Sequence, residues 1–130
     1  MVLSEQPTTV LVVEDEDGVR VPIVRALRRR GFTVLEAEHG AEALERYREH
    51  GLPIDLLLTD VMMPHLNGRE LARELRDELP ELRVLYMTGF SDQAIDLFVN
   101  DPATTAFIEK PFPMTRLLAA LQDLIERDGA

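Results

Sequence analysis

The chain reads as an α/β protein: a five-fold repeat of strand and helix forming one parallel sheet with helices on both faces. Three observations predict it. Short runs of Val, Leu and Ile alternate with longer amphipathic segments along a chain of 130 residues. The connections between them are short and carry Gly, Pro, Asn or Asp. Val10–Val13 is apolar without interruption, as a strand buried on both faces must be. Strands that alternate with helices pair in parallel through right-handed crossovers, which gives a three-layer sandwich.

The elements follow in order. After the strand Val10–Val13, Asp17–Arg30 carries Val21, Val24 and Leu27 at helical spacing, and "RRRG" supplies cations and a glycine at its end. Pro22 falls in about the second turn, where it removes one hydrogen bond. Val34–Ala37 is a second strand, and Ala41–Glu49 a helix with Ala43, Leu44 and Tyr47 inward. Ile54–Thr59 is a third strand. Asn67 caps a helix that runs through Leu79 and stops at Pro80. Arg83–Met87 is a fourth strand, Asp92–Asn100 a short helix, and Ala106–Glu109 a fifth strand. Met114–Arg127 closes the chain as a helix with Leu117, Leu118, Leu121 and Ile125 as its buried stripe.

Composition narrows the function. With 14 basic and 24 acidic residues the net charge is −10, which repels nucleic acid and anionic lipid. The absence of cysteine removes disulfides, thiolate nucleophiles and Cys-based metal sites. "MVLSEQPTT" lacks the basic and apolar regions of a secretory signal, and no apolar run reaches the roughly 20 residues of a membrane span. One cytoplasmic, soluble domain is expected over residues 1–130, with its core at about 9–127 and no output domain.

In such sheets ligands sit beyond the carboxyl ends of the strands. Strand one is followed by Glu14, Asp15, Glu16 and Asp17; strand three runs into Asp60, strand four into Thr88 and Gly89, strand five into Glu109, Lys110 and Pro111. Glu16 and Asp17 belong to the first helical turn, where acids favour the dipole. Each of the others has an ordinary reading taken alone: a turn former at Asp60, a loop cap at Thr88, a solvated ammonium at Lys110. Together they place three carboxylates on one rim. Two unit charges about 5 Å apart repel by roughly 3 kcal/mol at an effective dielectric of about 20. A hard divalent cation with oxygen ligands would compensate, and Mg2+ characteristically takes one or two carboxylates, waters and a phosphate oxygen. His39, His50 and His65 have no ligand spacing and read as surface residues.

"VVEDE", "LLLTDVMMPHLNG", "MTG" and "FIEKPF", in this order and spacing, resemble the receiver domain of two-component response regulators. The resemblance implies a flavodoxin-like sheet of strand order 2-1-3-4-5. It implies that Asp60 accepts a phosphoryl group from a phosphohistidine on a sensor histidine kinase or a histidine phosphotransfer protein. Mg2+ would be held by Asp15, by Glu14 mainly through water, by Asp60 and by the backbone carbonyl of Met62. Thr88 and Lys110 would contact the phosphoryl oxygens. Thr88 and Phe107 would form the switch, acting on the face made by the helix at Asp92–Asn100, strand five and the closing helix. The Lys110–Pro111 bond would be cis. The protein would signal rather than act as an enzyme, beyond catalysing its own phosphorylation and dephosphorylation. "DQAIDLFVN" has few of the charges that pair in dimeric receivers, so a monomer or weak dimer is implied. The wording is most similar to receivers of hybrid sensor histidine kinases, with single-domain response regulators as the alternative.

Glu14 stands where aspartate is commoner in the family, and Gly89 where alanine or serine is. Rival functions fit less well. In a haloacid dehalogenase-type phosphatase the nucleophile follows the first strand and an acid follows two residues later, but position 62 is methionine. A flavodoxin-type module needs a Ser/Thr/Gly-rich phosphate loop after strand one, where this chain has four acids. A degenerate receiver acting only as an interaction module is opposed by the intact set Asp15, Asp60, Thr88 and Lys110. Met62 and Phe90 occupy the positions that tune acyl phosphate lifetime in the family, and both are bulky and apolar. They are expected to shield the acyl phosphate and make it long-lived. Timing phosphate loss from the phosphorylated protein in Mg2+ checks this, and a lifetime of seconds excludes it.

Overall fold

The computed structural model describes residues 8–63, 66–89 and 103–127. Five strands form one parallel sheet: β1 Thr9–Val13, β2 Thr33–Ala37, β3 Leu56–Asp60, β4 Arg83–Thr88 and β5 Thr105–Glu109. Their order is β2-β1-β3-β4-β5. Four helices lie among the described residues: α1 Asp17–Arg29, α2 Gly40–His50, α3 Gly68–Glu78 and α4 Met114–Glu126. The helix expected over Asp92–Asn100 lies outside the described residues.

The pleat sends alternate strand residues to opposite faces, and the two cores divide accordingly. Val10, Val12, Leu56, Leu58, Leu85 and Met87 pack with Ile23, Val24 and Leu27 of α1 and Leu117, Leu121 and Leu124 of α4. Leu11, Val13, Leu57, Val84 and Tyr86 pack on the other face with Ala43 of α2 and Leu71, Ala72 and Leu75 of α3. β1 and β3 are buried at every position, so their unbroken apolar runs report a strand covered twice.

The helix ends follow local chemistry. α3 begins with a full capping box: the Asn67 side chain accepts from the Glu70 amide at 2.9 Å, and Glu70 accepts from the Asn67 amide at 3.0 Å. His39 caps α2 through Nδ1, which accepts from the Glu42 amide, and Gly51 ends that helix at φ 73°. Pro22 is accommodated inside α1.

Some inward positions differ from the sequence expectation. In α1, Ile23 and Arg20 join Val24 and Leu27 on the buried side, while Val21 is only half-buried. In α4 the buried stripe is Leu117, Leu121 and Leu124, with Leu118 and Ile125 at its border. β3 runs from Leu56 to Asp60 rather than from Ile54 to Thr59, because Asp60 pairs in register with Met87 of β4. Each shift is a rotation or slip of one or two positions, set by which neighbour a residue meets.

Leu58 is fully buried on the central strand. Leu58→Ala should lower unfolding free energy by about 2–5 kcal/mol, read as a shift of the urea midpoint at unchanged slope.

Candidate functional site

Parallel strands bring their carboxyl ends to one edge, and the order reverses between β1 and β3. That reversal is where an open α/β sheet leaves a crevice for ligand. Glu14 and Asp15 follow β1 on one side of it, and Asp60 ends β3 on the other. Carboxylate oxygens from Glu14, Asp15 and Asp60 all lie within 4.8 Å of one another. Glu14 is fully buried, Asp60 is 5% exposed, and Asp15 is exposed.

Lys110 completes the cluster from the far side. β5 lies two strands from β3, a distance of roughly 10 Å, so only a long side chain can reach across β4. The Lys110 amide donates to the Thr88 carbonyl at 2.7 Å, which fixes the start of that reach. Its Nζ stands 2.6 Å from Glu14 Oε1 and 2.6 Å from Asp60 Oδ1. Part of the compensation that the acidic rim demands is therefore supplied by the chain itself. The Lys110–Pro111 bond that follows is cis.

Electrostatics divide the two bridged acids. Burial alone would raise the Glu14 carboxyl, but the Lys110 ammonium and the Glu16 amide, donating to Glu14 Oε2 at 3.0 Å, hold it below its ordinary value. Burial pushes the Asp60 carboxyl up to about 7; Lys110 opposes the rise and the Glu14 charge adds to it. Burial likewise works against the Lys110 ammonium, yet Asp60 and Glu14 together raise it. One ammonium serves two carboxylates, and the more strongly hydrogen-bonded acid keeps its charge.

A cleft of about 320 Å³ opens between Asp15, Asp60, Thr88 and Lys110, walled by Met62 and Met87. Thr88 ends β4 and is buried. The Met62 side chain is 64% exposed at the rim. Phe107 is paired in register with Tyr86 and is 37% exposed, on the side of β5 away from Ala106 and Ile108. Phe90 lies outside the described residues.

The structure adds residues that the sequence reading passed over. Gly68 donates its amide to the Val61 carbonyl at 2.9 Å, and a Cβ there would run into the carbonyl oxygen of Asp60. The glycine that ends the stretch "LLLTDVMMPHLNG" thus lets the start of α3 close against the Asp60 backbone. Asp17 does more than favour a helix dipole: its Oδ1 pairs with Arg20 Nη2 at 2.6 Å. Arg20 itself gave no signal beyond falling at a helical position beside an apolar stripe.

The donor set of the cluster is three carboxylates with no sulfur or imidazole, which suits a hard cation such as Mg2+. It sits at the topological switch point of a parallel α/β sheet and shares an open cleft with the Thr88 hydroxyl and the Lys110 ammonium, the arrangement of an α/β domain whose ligand site lies beyond the strand ends. The response regulator receiver domain family model matches residues 10–122, and the chain belongs to that family. It is 40% identical over 119 residues to the sensor kinase CckA of Brucella abortus, covering 92% of this chain and 13% of that protein. It is 34% identical over 116 residues to the response regulator receiver protein CpdR of Brucella abortus, covering 89% of this chain and 95% of that one. The crystal structure of the receiver domain from the hybrid histidine kinase CckA superposes with a TM-score of 0.75 at 34% identity, covering 91% of this chain and 99% of that one. No helix among the described residues is long and apolar enough to cross a membrane.

A raised Asp60 carboxyl carries a stability consequence. The folded protein keeps the Asp60 proton up to about pH 7, whereas the unfolded chain releases it near about 3.9. Between those values the folded state binds the extra proton, so rising pH destabilises it. Asp60→Asn cannot ionise. In EDTA its stability advantage over wild type should grow from about pH 4 to about pH 7 and then level off, a change on the order of 4 kcal/mol by urea unfolding. An advantage that does not change with pH would contradict the assignment.

Proposed function

We propose that this chain is a phosphoacceptor receiver of a two-component or phosphorelay system, in which Asp60 takes a phosphoryl group from a phosphohistidine. The observation that carries the reading is the convergence of Glu14, Asp15, Asp60 and Lys110 at the switch point of the sheet. The donor would be a sensor histidine kinase or a histidine phosphotransfer protein. Similarity to the CckA receiver favours a receiver of the hybrid-kinase kind, and similarity to CpdR keeps the single-domain kind as the alternative.

An Asp60 carboxylate oxygen attacks phosphorus in line. The P–N bond to the imidazole breaks, its electron pair returns to the ring nitrogen, and an acyl phosphate forms on Asp60. Glu14, Asp15, Asp60 and the Met62 carbonyl would hold Mg2+, which when bound offsets the negative charge accumulating between Asp60 and the phosphoryl group. Lys110 is a compact ammonium on a flexible stem, suited to follow phosphoryl oxygens whose positions change during transfer. In the structure it pairs with Asp60, so accepting a phosphoryl group requires the ammonium to exchange a carboxylate oxygen for a phosphoryl one. Glu14, held by the Glu16 amide, keeps a second grip on Lys110 throughout. The pull on Lys110 and Thr88, neighbours through the 2.7 Å bond between their backbones, transmits the charge change to β5.

Thr88 moving toward the phosphoryl group leaves room for the ring of Phe107, which couples charge to packing on the face containing β5 and α4. Phosphate must therefore bind better to the state with Phe107 inward, a population shift between two arrangements. Met62, at the mouth of the cleft, would slow water reaching the acyl phosphate.

Incubation with acetyl phosphate and Mg2+, followed by intact mass, should show one added phosphoryl group. Asp60→Asn should abolish it, and EDTA should abolish it in wild type. No gain in wild type would instead favour a phosphorylation-independent interaction module.

A further inference from the structure

Arg20 is 8% exposed on the inner side of α1, at a position where an aliphatic residue would satisfy packing. Burying a guanidinium requires that its donors be matched, and all three of its nitrogens are. Nη1 donates to the Glu14 carbonyl at 2.8 Å, Nη2 to Asp17 Oδ1 at 2.6 Å, and Nε to Glu36 Oε1 at 3.2 Å. The bond to Glu14 matters most. That carbonyl belongs to the peptide joining Glu14 to Asp15, and the Glu14 amide is already committed to the Ala37 carbonyl at 3.1 Å.

Asp15 is exposed and has no burial to fix its direction. Its carboxylate comes within reach of Glu14 and Asp60 only if the preceding peptide plane is held. Arg20 is the side chain holding that plane. Asp17 from the first turn of α1 and Glu36 from β2 brace its fork, so the guanidinium cannot rotate away. We propose that Arg20 is a positioning residue for cation binding, fixing the Glu14–Asp15 peptide so that the Asp15 carboxylate stays in the cluster with Glu14 and Asp60. The proposal rests on the reading of that cluster as a cation site.

Direction of effect separates positioning from charge. Arg20 is itself a cation near the site. Removing its charge lifts a repulsion and takes a cation away from Asp17 and from Glu36, which keeps only Arg28 Nη2 at 3.9 Å, so electrostatics alone predicts tighter binding of a divalent ion. Loss of positioning predicts weaker binding. A general loss of stability predicts neither, because affinity is a property of the folded fraction at temperatures well below unfolding.

Mn2+, a hard ion that favours the same oxygen ligands, can be titrated into the protein while its free form is counted by electron paramagnetic resonance. Arg20→Met should weaken Mn2+ binding roughly tenfold, the usual effect of losing a group that orients a ligand. Arg20→Lys keeps the charge but not the three-way fork, and should weaken it by less. Equal or tighter binding in folded Arg20→Met overturns the proposal. If that variant does not fold, Arg20→Lys decides: weaker binding supports the proposal and unchanged binding overturns it. A wild-type protein that binds no Mn2+ would overturn the cation-site reading itself, an outcome distinct from wild-type binding that Arg20 does not affect.

Discussion

The Lys110 ammonium between Glu14 and Asp60 is the contact on which the carboxyl edge of the sheet depends. It joins the ends of β1, β3 and β5, strands that are not all neighbours, through one charge. A buried charge with its partner removed is far more destabilising than a pair is stabilising, which makes the bridge hard to lose piecemeal. The backbone serves it as well: the Thr88 carbonyl takes the Lys110 amide, and the missing Cβ of Gly68 lets α3 approach Asp60.

One ammonium cannot neutralise three carboxylates, and the edge is left with an excess of negative charge. Asp60 carries the raised carboxyl and Asp15 stands exposed, so the edge retains a demand for positive charge that a hard cation would meet. On the proposed reading the same imbalance makes the site responsive. An arriving phosphoryl group changes which oxygen Lys110 holds, and that change is felt on β4 and β5 because Lys110 is tied to Thr88.

Two cations hold this acidic turn from opposite sides. Lys110 acts on the carboxylates of Glu14 and Asp60, and Arg20 on the Glu14–Asp15 peptide. The division is economical in a chain of net charge −10, where most basic residues serve the surface. It also shows that the four acids after β1 are not one feature. Asp15 lines the cleft, Glu14 lies buried behind it and holds Lys110, Glu16 lends its amide to Glu14, and Asp17 braces Arg20.

The sequence by itself determined the order of the strands, the parallel sheet and which residues follow each strand at the rim, because these follow from signals local in the chain. Hydrophobic period separates strand from helix, Gly and Pro punctuate the ends, and each strand is followed at once by the residues that reach the common edge. Tertiary structure decided which helix positions turned inward, Ile23 over Val21 and Leu124 over Ile125, since a helix's rotation is set by the sheet it meets. It alone decided that Lys110 bridges Glu14 and Asp60, and that Arg20 grips the Glu14 carbonyl from beneath. Those contacts depend on strand order and on the reach of long side chains across neighbouring strands. Residue spacing along the chain does not encode that distance.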